Sequence, residues 1–213
     1  MYRARLFQWF FKITAYIPQK LVFRIKIHYE DKNVQSRRIK GKAIIASNHM
    51  SLFDYIPLIF VFPFRTVRCV VAEVLYKKFF LALYLNLMGA MKVNRGEKDF
   101  SFEETAFKLL DKNGVILFHP EGRLPDREGD VPPLEFKTTF VYMALKSKAP
   151  IIPYYTNGEN FSLKRCNVMI GKPIDANALY DFSLSEQENR RRIANIVREK
   201  IIELKNEMEK QNG

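Results

Sequence analysis

Short apolar runs rich in Ile and Val recur along this chain, and amphipathic stretches of helical period separate them. That alternation limits the possible folds more than any other feature. Ala43–Ala46, Val67–Ala72, Met91–Val93, Val115–Phe118, Ile151–Tyr155 and Val168–Ile170 each read as a strand. Tyr55–Phe62, Leu75–Leu87, Phe102–Lys112 and Phe136–Lys146 read as helices. Ser101 and Glu104 have capping-box spacing for the third of these, and Asn113-Gly114 closes it. Ser185 and Glu188 open a last helix with Ile193, Val197, Ile201, Leu204 and Met208 on one stripe. Strands alternating with helices predict an α/β single domain with a mostly parallel sheet flanked by helices. Such sheets place sites beyond the carboxyl ends of their strands. His49 and Glu121 both lie just after predicted strands.

The 213 residues suffice for one domain with one sizeable core. Net charge is +12, and its placement is uneven. Residues 1–42 hold eleven Lys or Arg against two acids, Glu30 and Asp31, and so carry +9 of the total. Residues 1–30 read as one or two amphipathic helices, broken near Pro18, with Trp9 among Phe and Arg. The expected organisation is therefore a basic, aromatic helical segment over 1–35 and an α/β domain over 36–213. The N-terminal helix suits an anionic membrane surface, and packing on the core would serve it equally. Nucleic acid is the electrostatic rival, but no nucleic-acid-binding motif appears. The longest charge-free runs, Tyr55–Phe64 and Phe79–Met91, fall short of the roughly 18–20 apolar residues of a membrane span. The chain is expected to sit on a bilayer as a peripheral or monotopic protein. Cys69 and Cys166 form no disulfide framework, which favours a reducing compartment, and no secretory signal is apparent. His28, His49 and His119 lack the paired spacing of metal ligands, so neither metal nor other cofactor is expected.

Three constellations carry possible chemistry. Asn48-His49 with Asp54 places an imidazole in a strand-end loop and a carboxylate at the next helix start. From there the carboxylate can hold one ring nitrogen and leave the other as a base. Phe118-His119-Pro120-Glu121-Gly122-Arg123 joins an acid, a flexible Gly and a cation whose planar fork suits a phosphate. A tight turn closed by an ion pair has the same composition. Gly89 to Arg95 brings Lys92 and Arg95 toward another strand end, where solvated cations are equally ordinary. Ala149-Pro150-Ile151-Ile152-Pro153 reads as scaffold.

In this order the motifs resemble the glycerolipid acyltransferase family, whose best-known bacterial members are 1-acylglycerol-3-phosphate acyltransferases. Asn48, His49 and Asp54 match its first motif. Gly89 and Arg95 match its second, Pro120, Glu121 and Gly122 its third, and Pro150–Pro153 its fourth. Phe136-Lys137 resembles the Phe-Lys that follows the third motif. The sequence departs from the pattern at His119, which precedes Pro120, and at Arg123, which follows Gly122 without an intervening Thr. The resemblance implies acyl transfer from acyl-carrier protein or acyl-CoA to the free hydroxyl of 1-acylglycerol-3-phosphate, with a different lysolipid as the alternative acceptor, at the cytoplasmic face of the cell membrane. It implies His49 as general base and Asp54 as its partner. Asn48, Lys92, Arg95, Glu121, Gly122 and Arg123 are the expected substrate-binding set. Phe79–Met88 is an expected wall for the acyl chain. A lipid-binding relative without catalysis is the alternative, against which the intact His49–Asp54 pair stands.

Overall fold

The computed structural model describes residues 2–94, 100–125 and 130–212. Seven strands form one sheet: β1 (Lys26–Tyr29), β2 (Ala43–Ser47), β3 (Val67–Ala72), β4 (Met91–Val93), β5 (Val115–Phe118), β6 (Ile151–Thr156) and β7 (Asn167–Ile170). Their spatial order is β1-β7-β6-β2-β5-β3-β4. Neighbours run parallel throughout, except that β6 and β7 are antiparallel. The central strands β2 and β5 are buried along their whole length, which is why both read as unbroken apolar runs.

Alternate side chains feed two cores. Ile44, Ala46, Ile116, Phe118 and Ile151 point to one face. That face is covered by α5 (Phe100–Asp111), α6 (Thr139–Ser147) and α7 (Glu186–Asn212). Ala43, Ile45, Val115, Leu117 and Ile152 point to the other, under α3 (Tyr55–Val61) and Met88 of α4 (Phe79–Met88). The N-terminal pair α1 (Tyr2–Thr14) and α2 (Tyr16–Val22) lies on this second side, with Phe7 and Phe11 against the core.

The expected strands all form. Residues 26–29, expected within a helical segment, instead make edge strand β1 against β7. Lys26-Ile27-His28-Tyr29 has no helical stripe, and its backbone completes the unpaired side of β7. Residues 1–35 therefore contribute a helix pair and a strand to one body. Pro18 sits inside α2, in its first turn, where a missing N–H costs nothing. Ser101 lies within α5 rather than ahead of it, and Glu104 pairs with Lys108 one turn on, so the expected cap is not at that position. The Ser185–Glu188 box forms: each backbone N–H donates to the other side chain, at 2.9 and 3.3 Å. Helix α6 starts at Thr139, three residues after the expected Phe136, because Lys137 N–H donates to Pro120 C=O and keeps the chain extended there.

Candidate active site

Strands β2, β5 and β6 end at one edge of the sheet, and the loops that leave them meet there. His49 is on the first loop, and Asp54 is the residue before α3. The two meet with His49 Nδ1 3.1 Å from Asp54 Oδ2. The same oxygen accepts the Met50 and Ser51 N–H groups, each at 2.8 Å. Its partner Oδ1 accepts the Asn160 amide at 2.8 Å. A buried carboxylate with this many donors stays an acceptor, so Nδ1 carries the proton and Nε2 is the basic nitrogen.

The loop is held from three sides. Glu121 is buried, and its carboxylate accepts His49 N–H at 2.8 Å and Leu134 N–H at 2.9 Å. Burial pushes this carboxyl above its ordinary range, and the two N–H bonds pull the other way. Asn48 faces β6, donating to Thr156 C=O at 2.8 Å and accepting Thr156 N–H at 2.9 Å. The loop after β6 presses on Met50 from the third side. A Cβ at Gly158, where φ is +71°, would lie 2.3 Å from that of Met50.

His119 stacks on His49 with ring centroids 4.3 Å apart and planes 18° apart. Its Nδ1 lies 3.1 Å from the Asn48 carbonyl, which fixes Nδ1 as the donor. Burial, with the adjacent His49 second, lowers the His119 pKa to about 4, so this ring is neutral at ordinary pH.

Both rings line a cavity of about 940 Å³. Leu52, Phe53 and Ile56 form one part of its wall, and Leu81, Tyr84 and Leu85 of α4 another. Within Phe79–Met88, Phe79, Phe80 and Leu83 instead face outward. Cys69 also lines the cavity, but burial pushes its thiol up to about 12 and removes it as a nucleophile.

The predicted substrate ligands divide sharply. Gly122 and Arg123 line the cavity. Arg123 is engaged there with Asp130 through two bonds of 2.6 and 2.7 Å. Asn48 and Glu121 do not offer their polar groups to the cavity; both are buried clamps on backbone. Lys92 is exposed on edge strand β4, pointing opposite to Met91 and Val93, and is outside the cavity lining. Arg95 lies outside the described residues. Lys137 is the cation that sequence reasoning passed over. It lines the cavity, and Gly122 admits it: a Cβ there would be 2.9 Å from Lys137 Cε. Its signal was present in Phe136-Lys137, but nothing local shows that the side chain returns to the Pro120 turn.

A histidine tied to a buried aspartate, lining an apolar cavity at the strand ends of an α/β sheet, is the arrangement of a candidate acyl-transfer centre. The Acyltransferase family model matches residues 24–157, well over half the chain, and the chain belongs to that family. A 1-acyl-sn-glycerol-3-phosphate acyltransferase of Limnanthes alba is 30% identical over 133 residues, 61% of this chain and 46% of its own. The human 1-acyl-sn-glycerol-3-phosphate acyltransferase beta is 28% identical over 144 residues, 66% of this chain and 50% of its own. The chain spans about half the length of the curated relatives it matches. The crystal structure of the 1-acyl-sn-glycerophosphate acyltransferase PlsC of Thermotoga maritima superposes with a TM-score of 0.60, covering 95% of this chain and 96% of that one. At 21% identity it establishes the shared fold.

Proposed function

We propose that this chain moves a fatty acyl group from a thioester, acyl-carrier protein or acyl-CoA, to the free hydroxyl of 1-acylglycerol-3-phosphate. The observation that carries the reading is His49, tied through Nδ1 to buried Asp54 at the head of an apolar cavity. In the proposed step, His49 Nε2 takes the proton of the acceptor hydroxyl as that oxygen attacks the thioester carbonyl. The tetrahedral intermediate then collapses, the C–S bond breaks, and the imidazolium returns its proton to the departing thiolate. Asp54 holds the tautomer and offsets the positive charge on the ring. General-base help of this kind supplies about 10²–10⁴-fold. The acyl chain occupies the wall formed by Ile56, Leu81 and Leu85. Lys137 faces the acceptor phosphate, with Arg123 once it exchanges Asp130 for that phosphate, and Arg95 completes the set.

The medium is read from α1. This helix turns Ala4, Gln8 and Lys12 inward and Leu6, Trp9, Phe10 and Ile13 outward. Phe79 and Phe80 of α4 add to the same exposed apolar surface. Such a face suits the interface of a bilayer. No helix among the described residues is long and apolar enough to cross a membrane. The proposed location is peripheral or monotopic, on the cytoplasmic face, where thioester donors are made.

His49→Ala tests the reaction. Transfer from a palmitoyl thioester to lysophosphatidate should fall by at least about 10²-fold while circular dichroism and melting stay native. Turnover within a few fold of wild type would sink the mechanism. Running each donor carrier in parallel identifies the donor.

A further inference from the structure

The 157–166 loop joins β6 to β7 and packs on the His49 loop, yet the reaction proposed above uses none of its residues. Three contacts join the two loops. Gly158 meets Met50, the Phe161 ring meets that of Phe53, and Asn160 reaches Asp54. Only the third is a polar bond to the His49–Asp54 pair itself.

Asn160 has one arrangement that satisfies its neighbours. Its Nδ2 lies 2.8 Å from Asp54 Oδ1, and its Oδ1 lies 3.8 Å from Cys166 Sγ. A carboxylate only accepts, so the amide nitrogen must face Asp54. Burial pushes the Cys166 thiol up to about 12, so it stays an S–H donor toward the amide oxygen. Asp54 is thereby held at both oxygens. Oδ2 faces His49 and takes the N–H groups of Met50 and Ser51, four and three residues back on the same loop. The bond to Oδ1 instead comes from a residue 106 positions away, so it ties the carboxylate to a separate part of the sheet.

The loop is built to present this amide. Phe161, the next residue, holds φ at +59°, a left-handed conformation that a Phe keeps only where tertiary contacts fix it. Its ring packs on Phe53 and Phe23, with centroids 5.1 and 4.9 Å apart. On the other side Gly158 has φ +71°, and its C=O accepts Asn160 N–H at 2.7 Å. The loop ends are pinned as well. Asn157 Oδ1 accepts the Glu159 and Asn167 N–H groups, and Cys166 N–H donates to Phe23 C=O at 3.0 Å.

We propose that Asn160 is a positioning residue for acyl transfer: its amide fixes the rotation of the Asp54 carboxylate, and through it the tautomer and orientation of the His49 ring. The proposal rests on the reading of His49 as general base given above. Without the amide, Asp54 keeps its charge but gains freedom about its last side-chain bond. Oδ2 then leaves Nδ1 part of the time, and the share of His49 rings with the proton on Nδ1 falls.

The experiment uses the full chain with Asn160→Leu, which keeps the volume and removes the donor. Asn160→Ala is the second variant should the loop reject Leu. In transfer from a palmitoyl thioester to lysophosphatidate, kcat should fall about tenfold, as for a lost hydrogen bond to a charged group. Asn160 is outside the cavity lining, so KM for lysophosphatidate should stay within about twofold of wild type. Nitrogen-15 NMR of the His49 ring should show less proton on Nδ1, moving toward the spectrum of Asp54→Asn. In an Asp54→Asn background, Asn160→Leu should cost no more than about twofold further, because its effect passes through the carboxylate. A full tenfold loss in that background, or an unchanged ring spectrum, would make Asn160 a loop-stability residue and overturn the proposal. Wild-type kcat in both variants would overturn it too. The two readings fail separately: turnover surviving in His49→Ala removes the general base, while the ring spectra still decide whether Asn160 orients the pair.

Discussion

Helices α1 and α7 both lie with one face on the core, and they bury different chemistry. Helix α7 buries Ile193, Val197, Ile201, Leu204 and Met208 and sends its charges outward. Helix α1 buries Ala4, Gln8 and Lys12, packs Phe7 and Phe11 against the core, and still sends Leu6, Trp9, Phe10 and Ile13 outward. For α7 the driving force is removal of apolar area from water. For α1 the inward face is fixed by hydrogen bonds. Gln8 Nε2 lies 2.8 Å from the carbonyls of Val67 and Met88 and 3.0 Å from the Tyr55 hydroxyl. Gln8 Oε1 accepts Val67 N–H at 3.2 Å. Each helix matches its inward partner, and only α7 leaves an outward face that suits water.

The largest effect expected from this contrast is on α7. Val197→Asp places an unpaired carboxylate in a fully buried apolar stripe and should cost more than about 4 kcal/mol. Loss of cooperative unfolding in lipid-free buffer would show it, and a native melt would break the comparison at its firmer end. On α1 the sign reverses: making the buried face more apolar should hurt. Gln8→Leu leaves Val67 N–H and Met88 C=O without this partner and should cost about 2–3 kcal/mol in chemical denaturation. A neutral or stabilising outcome would mean that the inward bonds do not fix α1. The smallest stability effect belongs to the outward face. Phe10→Gln with Ile13→Gln should change unfolding by less than about 0.5 kcal/mol, yet weaken binding to neutral vesicles. If both quantities stay at wild type, α1 meets something other than lipid.

The candidate active site shows the same division between what is near in sequence and what is near in space. His49 and Asp54 are five residues apart, joined by one strand end and one helix start, so their meeting was legible. The roles of Asn48 and Glu121 were not. Each carries the polar group of a ligand, and only the partners show that both are spent on backbone, Thr156 for one, His49 and Leu134 for the other. Those partners are 108, 72 and 13 residues away, so the sheet order, and not spacing, decides them. His119 was visible as a departure from the family pattern. Its stacking on His49 follows from β2 and β5 being neighbours, which no local pattern reports. Arg123 meets its carboxylate at Asp130, seven residues on, a pairing that no local pattern announces.

By itself the sequence determined six of the seven strands, most of the helices and the pairing of His49 with Asp54. Periodicity and short loops are constraints of covalent geometry and of burial on two faces of a sheet. The tertiary structure alone decided that 26–29 is a strand, that α1 buries Gln8 and Lys12, which cations line the cavity, and which polar groups remain for a substrate. Those outcomes depend on whether a hydrogen-bond partner or solvent waits on the far side of the chain. A partner's position is set by how the strands are ordered in the sheet, and that order belongs to no single stretch of sequence.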